Sequence, residues 1–198
     1  MTEWKLFDGD TAYVSTPGFH ADRERAPHLE QDHHVQRLHA AAEMIRSCAA
    51  PQRTYVDLGC GDGGLLSLCQ DAFPQAWGYD FQPSNAAGWT ERGVTAEPLD
   101  VFGKDWSRVS LGSVVSCTEV LEHLTDPHGA LRRVHGGLSV EYLVCSSPVN
   151  EHAGFHDSCH AWAWDASGYA AMIDNAGFTV LEHKVVGPFQ VVKAQARP

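Results

Sequence analysis

Val56-Asp57-Leu58-Gly59-Cys60-Gly61-Asp62-Gly63 is the stretch on which the fold turns. A short apolar strand, Thr54 to Leu58, runs into three alternate glycines, and an apolar-periodic segment begins at Gly64. Glycine lets a backbone turn sharply and approach a ligand closely. The N-terminus of the following helix offers unpaired N–H groups and the positive end of a dipole, which suit a carboxylate or a phosphate. Asp80, 17 residues after Gly63, closes the next strand, where a carboxylate can accept both hydroxyls of a ribose. Asp100, after a third strand, is a candidate partner for an adenine amine. The glycines alone would mark a tight turn. With a strand before them, a helix after them and an acid at the next strand end, they mark a nucleotide-type site.

Outward from this stretch the pattern alternates. A helix spans 28–49, with Val35, Leu38, Ala42 and Ile45 as its apolar stripe, and Pro51 ends it. Gly64 to Phe73 and Pro83 to Arg92 read as helices, and Ala76 to Tyr79, Val94 to Glu97, Ser113 to Cys117 and Val140 to Ser146 as strands. Glu119 to Leu124 makes a helical turn or more, and Pro127 to Val134 a helix. A His- and Trp-rich loop at 149–164 precedes a helix from Asp165 to Ala176. Phe178 to Val186 and Phe189 to Ala194 close as an antiparallel hairpin around Gly187-Pro188. Such alternation implies an α/β fold with a mostly parallel sheet covered on both faces.

Composition bounds the function. The chain has 198 residues, 43% of them hydrophobic and 20% charged, which is ordinary for one folded domain. Lys and Arg total 14 against 25 Asp and Glu, and 14 − 25 = −11. That balance disfavours broad adhesion to a nucleic-acid backbone, although not the grasp of a single nucleotide end. There is no apolar run long enough to span a membrane. The first ten residues lack the order of a signal peptide, and the 6 cysteines include no C-x-x-C pair, so the expectation is a cytoplasmic protein with reduced thiols.

The Val56–Gly63 string, Tyr79-Asp80, Leu99-Asp100 and Glu119-Val120-Leu121-Glu122-His123-Leu124 together resemble class I S-adenosylmethionine (SAM)-dependent methyltransferases over about residues 53–195. The resemblance implies a Rossmann-like seven-stranded sheet with an antiparallel C-terminal hairpin. It implies that Asp57, Gly59, Gly61 and Gly63 line the methionine part of SAM and that Asp80, with Phe81 beside it, holds the ribose. Asp100 and Val101 would meet the adenine, and Thr118 and Glu119 would lie near the sulfonium. It divides the chain into an arm and helix over 1–50 that cap the active site and a SAM-binding domain over 51–198. The dinucleotide fingerprint G-x-G-x-x-G is the nearest rival, but here the third glycine comes one place early.

Glu119, Glu122 and His123 stand at i, i+3 and i+4, so a helix would put them on one face at a strand's carboxyl end. Two carboxylates and an imidazole there form a candidate divalent-metal site. The same acids would also favour a helix's first turn with no metal. The E-x-x-E-H pattern, followed by His160 before an aromatic pair, resembles metal-dependent 2′-O-methyltransferases of small-RNA 3′ ends and ubiquinone-pathway O-methyltransferases. That resemblance implies magnesium or manganese on Glu119, Glu122, His123 and His160. His123 or His156 is the candidate base if no metal takes part. A separate zinc knot from His152, His156, Cys159 and His160 is a further reading, with a spacing that fits no standard structural site.

The expectation is metal-assisted O-methylation of a small-molecule hydroxyl. An RNA 3′ end as acceptor, or a non-catalytic SAM-binding protein, are the alternatives. Residues 1–27 read as an irregular arm, in which Tyr13, Phe19, His20, Arg23 and Arg25 are candidates to shape the acceptor pocket. His33 and His34 read as an exposed polar face.

Overall fold

Strands buried along their whole length, such as Tyr55–Leu58 and Val114–Thr118, demand cover on both faces of the sheet, and the structure supplies it. The computed structural model describes residues 2–6, 22–101, 103, 107–137 and 139–198, so Tyr13, Phe19 and His20 lie outside the described residues. In chain order the elements are β1 (Glu3–Lys5), α1 (Asp32–Arg46), β2 (Tyr55–Leu58), α2 (Gly64–Cys69), β3 (Ala76–Asp80), α3 (Ala86–Arg92) and β4 (Ala96–Pro98). There follow β5 (Val114–Thr118), α4 (Pro127–His135), β6 (Tyr142–Pro148), β7 (Trp162–Trp164), α5 (Ala166–Asn175), β8 (Phe178–Val186) and β9 (Phe189–Ala196).

Seven strands form one sheet in the order β4-β3-β2-β5-β6-β9-β8. The first five are parallel, and β9 runs antiparallel to both neighbours. This is the Rossmann-like α/β fold with an antiparallel C-terminal hairpin. Alternation along β2 divides the core: Val56 and Leu58 pack with Leu131, Tyr169 and Ile173 of α4 and α5, while Tyr55 packs with Ile45 of α1 and Leu66 of α2. From β2 the chain moves one way to β3 and β4, then returns to lay β5 and β6 on the other side. The strand order reverses between β2 and β5, and ligands of open α/β sheets sit beyond the strand ends at such a point.

Three local expectations change. Residues 3–5 are not irregular, and 162–164 are not loop: they pair as a two-stranded ribbon, Glu3 opposite Trp164, with Trp164 Nε1–H donating to Glu3 Oε2 at 2.6 Å. Three residues are too few to show a period, and the partner lies far away in sequence. The expected helix at 119–124 is instead Glu119 at φ 55° followed by a 3-10 turn, Leu121–His123. Glu119 N–H is committed to Ser146 O at 3.1 Å, which holds its residue off the helical path. The expected long helices after Gly64 and Pro83 are each split into an α-helix and a 3-10 turn.

The β2–α2 turn is fixed by crowding as well as by dihedral angle. Gly59, Gly61 and Gly63 have φ of 75°, 54° and 83°. A Cβ on Gly63 would meet Val94 Cγ2 at 2.7 Å, whereas one on Gly61 would meet nothing within 4 Å. Gly61→Ala should therefore lose only the left-handed strain, about 1–2 kcal/mol. Gly63→Ala should lose that plus overpacking, about 2–5 kcal/mol in all. Urea unfolding of the two variants checks the order; equal losses would mean that Val94 gives way without cost.

Candidate active site

A cavity of about 850 Å³ opens at the carboxyl ends of the parallel strands. Asp57, Gly59, Gly61, Asp80, Phe81, Asp100, Val101, Thr118, Glu119, Glu122, His123 and His160 all line it. Gly63 and His156, also expected in the site, do not. Gly63 is the N-cap of α2 and packs toward Val94 and Trp89, so it serves the turn. Among the aromatic-loop residues Phe155 lines the cavity and is largely exposed, while Trp164 is fully buried in the core.

The glycine-turn side of the cavity is held by hydrogen bonds that cross elements. Gly59 N–H and Cys60 N–H both donate to Tyr79 O, at 2.8 and 2.9 Å. Gly61 N–H donates to Asp80 Oδ2 at 2.9 Å, and Trp89 Nε1–H donates to Gly61 O at 2.8 Å. Asp80 Oδ1 accepts from Gln82 N–H at 2.8 Å and from Asn85 Nδ2 at 3.1 Å. Asp62, 2% exposed, receives Arg25 at 3.2 Å and Arg92 at 2.7 Å on the same oxygen. This clamp ties the segment before α1 and the end of α3 to the glycine turn. Asp62 was visible only as the variable position between two glycines, and a single sequence carries no signal for its partners.

Asp57 is buried behind the turn. Its Oδ1 accepts from Ser116 Oγ–H at 2.5 Å, and Tyr55 Oη lies 2.8 Å from the same hydroxyl. Burial pushes the carboxyl up to about 6, a rise that the Ser116 hydrogen bond limits.

The opposite wall, around Glu119 and Glu122, carries buried charge. Glu122 is 1% exposed, and neither of its oxygens has a hydrogen-bond partner. Burial, then Glu119, raises its proton affinity far above the ordinary carboxylate value. Burial raises Glu119 too, opposed by the Arg37 charge and by Ser146 Oγ–H, which donates to Glu119 Oε1 at 2.7 Å. Arg37 is itself buried, with Nη1–H donating to Ser146 Oγ at 3.4 Å and its guanidinium 5.1 Å from the Phe189 ring centroid. Its Nη2 donates to His34 Nδ1 at 3.2 Å. His34 is thus no solvated face: it lines the cavity with His28 and His33 and stacks on Phe189. Burial first, then the neighbouring positive groups, lower His28 to about 4 and His34 to about 3, so both rings are neutral at pH 7. Arg37 was legible in principle, because it falls at i−4 and i−7 to the buried Ala41 and Met44 of α1.

Glu119, Glu122, His123 and His160 all line the cavity, but the four are not a group of mutually close donor atoms. The donors within 4.8 Å of one another, among the described residues, are a nitrogen of His123, a nitrogen of His160 and Cys159 Sγ. Neither Glu119 nor Glu122 belongs to that group. Magnesium prefers oxygen ligands, and imidazole with thiol suits a softer ion, so these donors do not fit magnesium or manganese. The alternative knot does not form either: His152 is exposed and accepts from Gly154 N–H at 3.1 Å, and His156 stands outside the group.

A family model described as a methyltransferase domain matches residues 31–183. The chain belongs to this methyltransferase family. It is 32% identical over 140 residues to a trans-aconitate 2-methyltransferase of Mycobacterium sp. strain KMS, across 69% of this chain and 54% of the relative. The chain thus spans about half the length of the curated relatives it matches. The N-methyltransferase NodS of Bradyrhizobium japonicum WM9, solved with S-adenosyl-L-homocysteine (SAH), superposes with a TM-score of 0.70 at 14% identity, over 96% of this chain and 100% of NodS. The methyltransferase domain of a bacterial protein, CtHen1, superposes at 0.61 with 18% identity, over 81% of this chain and 97% of that domain. At these identities the structural likenesses concern the fold. No helix among the described residues is long and apolar enough to cross a membrane.

Asp57 gives a test of the buried site. Its carboxyl binds a proton more tightly folded, at about 6, than unfolded, at 3.8. The stability it contributes is therefore complete below the unfolded value and is lost as pH rises through the folded one. The loss amounts to about 3 kcal/mol at most. Asp57→Asn keeps an acceptor for Ser116 without that titration. Denaturant unfolding at about pH 4 and about pH 7 should show a smaller fall for the variant than for the wild type. Equal falls would mean that Asp57 is already solvated.

Proposed function

We propose that this protein transfers the methyl group of SAM to an oxygen atom of a small molecule. What carries the reading is one cavity, at the topological switch point, that joins the glycine turn and Asp80 to Glu119 and His123. SAM supplies a methyl group on a positively charged sulfur. Asp57, Gly59 and Gly61 would face its amino-acid end. Asp80 and Phe81 would take the ribose, and Asp100 and Val101 the adenine. Thr118 and Glu119 would flank the reacting carbon. In-line attack by a hydroxyl oxygen forms the new C–O bond as the C–S bond breaks, and the hydroxyl proton must leave. Glu119, raised in proton affinity and oriented by Ser146, is the residue we assign to receive it. Alignment in a desolvated cavity supplies most of the remaining rate.

The net charge of −11 supports a small acceptor over an RNA end. The 6 unbridged cysteines support a cytoplasmic setting. Arg23 and Arg133 also line the cavity and can pair with an anionic acceptor. That favours, as a second reading, a carboxylate oxygen such as that of trans-aconitate, after which the mycobacterial relatives are named.

Methyl-labelled SAM, offered with catechols, hydroxy acids, trans-aconitate and an RNA oligonucleotide, should yield a labelled small molecule. Glu119→Gln should lower kcat about 100-fold or more on a hydroxyl acceptor, with little change in SAH affinity. Label on RNA alone would overturn the substrate class. Tight SAH binding with no transfer to any acceptor would leave a non-catalytic binder.

A further inference from the structure

The fold assembles a donor set that neither sequence reading contained. We propose that His123, Cys159 and His160 bind a borderline-soft divalent cation, zinc above all, at the wall of the cavity. The site stands whether or not the chain transfers a methyl group. A nitrogen of each histidine and Cys159 Sγ lie within 4.8 Å of one another.

The tautomer of each ring is already fixed. His160 Nδ1–H donates to Glu151 Oε2 at 2.6 Å, and His123 Nδ1–H donates to Cys159 O at 3.1 Å. A carboxylate and a carbonyl only accept, so each imidazole carries its proton on Nδ1 and its lone pair on Nε2. This carboxylate- or carbonyl-held tautomer is the one that metal-ligating histidines adopt. The two chain segments are pinned together as well, since Ala161 N–H donates to Glu122 O at 2.6 Å. Glu151 in turn accepts from Asp157 N–H at 2.9 Å, and Asp157 Oδ1 accepts from Cys159 N–H at 3.0 Å, so the loop is folded around its own second layer.

A second observation points to a cation here. The Glu122 carboxylate lines the same cavity, is 1% exposed and has no hydrogen-bond partner on either oxygen. Ionising a buried, unpartnered carboxyl group is costly, and a cation bound in the same cavity lowers that cost. Two imidazoles and a thiolate leave one tetrahedral position open, the arrangement of catalytic rather than structural zinc. His123 and His160 both line the cavity, so that position would take water or an acceptor heteroatom. Binding releases the Cys159 thiol proton to solvent.

The test uses the metal-stripped full chain and cobalt(II) as the spectroscopic probe. The wild type should take up one cobalt ion per chain, with intense tetrahedral d–d bands and a near-ultraviolet thiolate-to-cobalt band. Zinc should displace the cobalt and magnesium should not. Cys159→Ser should lose the thiolate band, and His160→Ala should lose the d–d bands. Glu151→Gln keeps all three ligands and should weaken cobalt binding about 10–100-fold. A spectrum of hydrated cobalt only, a thiolate band that survives in Cys159→Ser, or displacement by magnesium as readily as by zinc would overturn the site. SAH titration of the metal-free protein reports separately on the methyltransferase reading.

Discussion

The carboxylate of Asp80 joins two strand ends, and the geometry of the site depends on that junction. It accepts Gly61 N–H on one oxygen and Gln82 N–H and Asn85 Nδ2–H on the other. A carboxylate offers about four accepting positions, so roughly one is left for a ligand hydroxyl. The same group that would meet the ribose therefore also fixes the glycine turn. Gly61 can donate in this direction because its φ is 54°, a conformation that most residues avoid. The Trp89 indole and the Asp62 clamp hold the turn from its other sides. With so many bonds crossing elements, the turn is rigid before any ligand arrives.

The opposite wall is organised by buried charge. Arg37, Ser146 and Glu119 form a chain of polar contacts from α1 to the end of β5, through β6. In a low-dielectric cavity such a chain sets which carboxylate is ionised and where it points. Glu122 has no such partner, which separates two acids that look equivalent in the sequence. The E-x-x-E-H run thus divides into an oriented carboxylate, an unpaired carboxylate and an imidazole turned toward Cys159.

The sheet was legible because its signals are local. Apolar strands, glycine punctuation and helical spacing fixed every strand of the seven-stranded sheet to within two or three residues. The cavity at the ends of β2, β3 and β5 followed from the parallel order. What stayed hidden depends on contacts remote in sequence. The β1–β7 ribbon joins three-residue pieces far apart in the chain, Glu3 opposite Trp164, 161 residues on. Glu119 leaves the helical path because of Ser146, 27 residues away. His34 turns inward because Arg37 and Phe189 receive it. Cys159 reaches His123 across 36 residues, a juxtaposition that no spacing rule encodes.

The most direct measurement is calorimetric titration of SAH into the wild type and into Asp80→Ala. The account predicts one binding site in the wild type and an affinity lower by tenfold or more in the variant, which loses the carboxylate from both the turn and the ligand. Absence of binding heat in a folded wild type, or equal affinities in the two proteins, would contradict the assignment of the glycine turn and Asp80 as a cradle for an adenosyl amino acid.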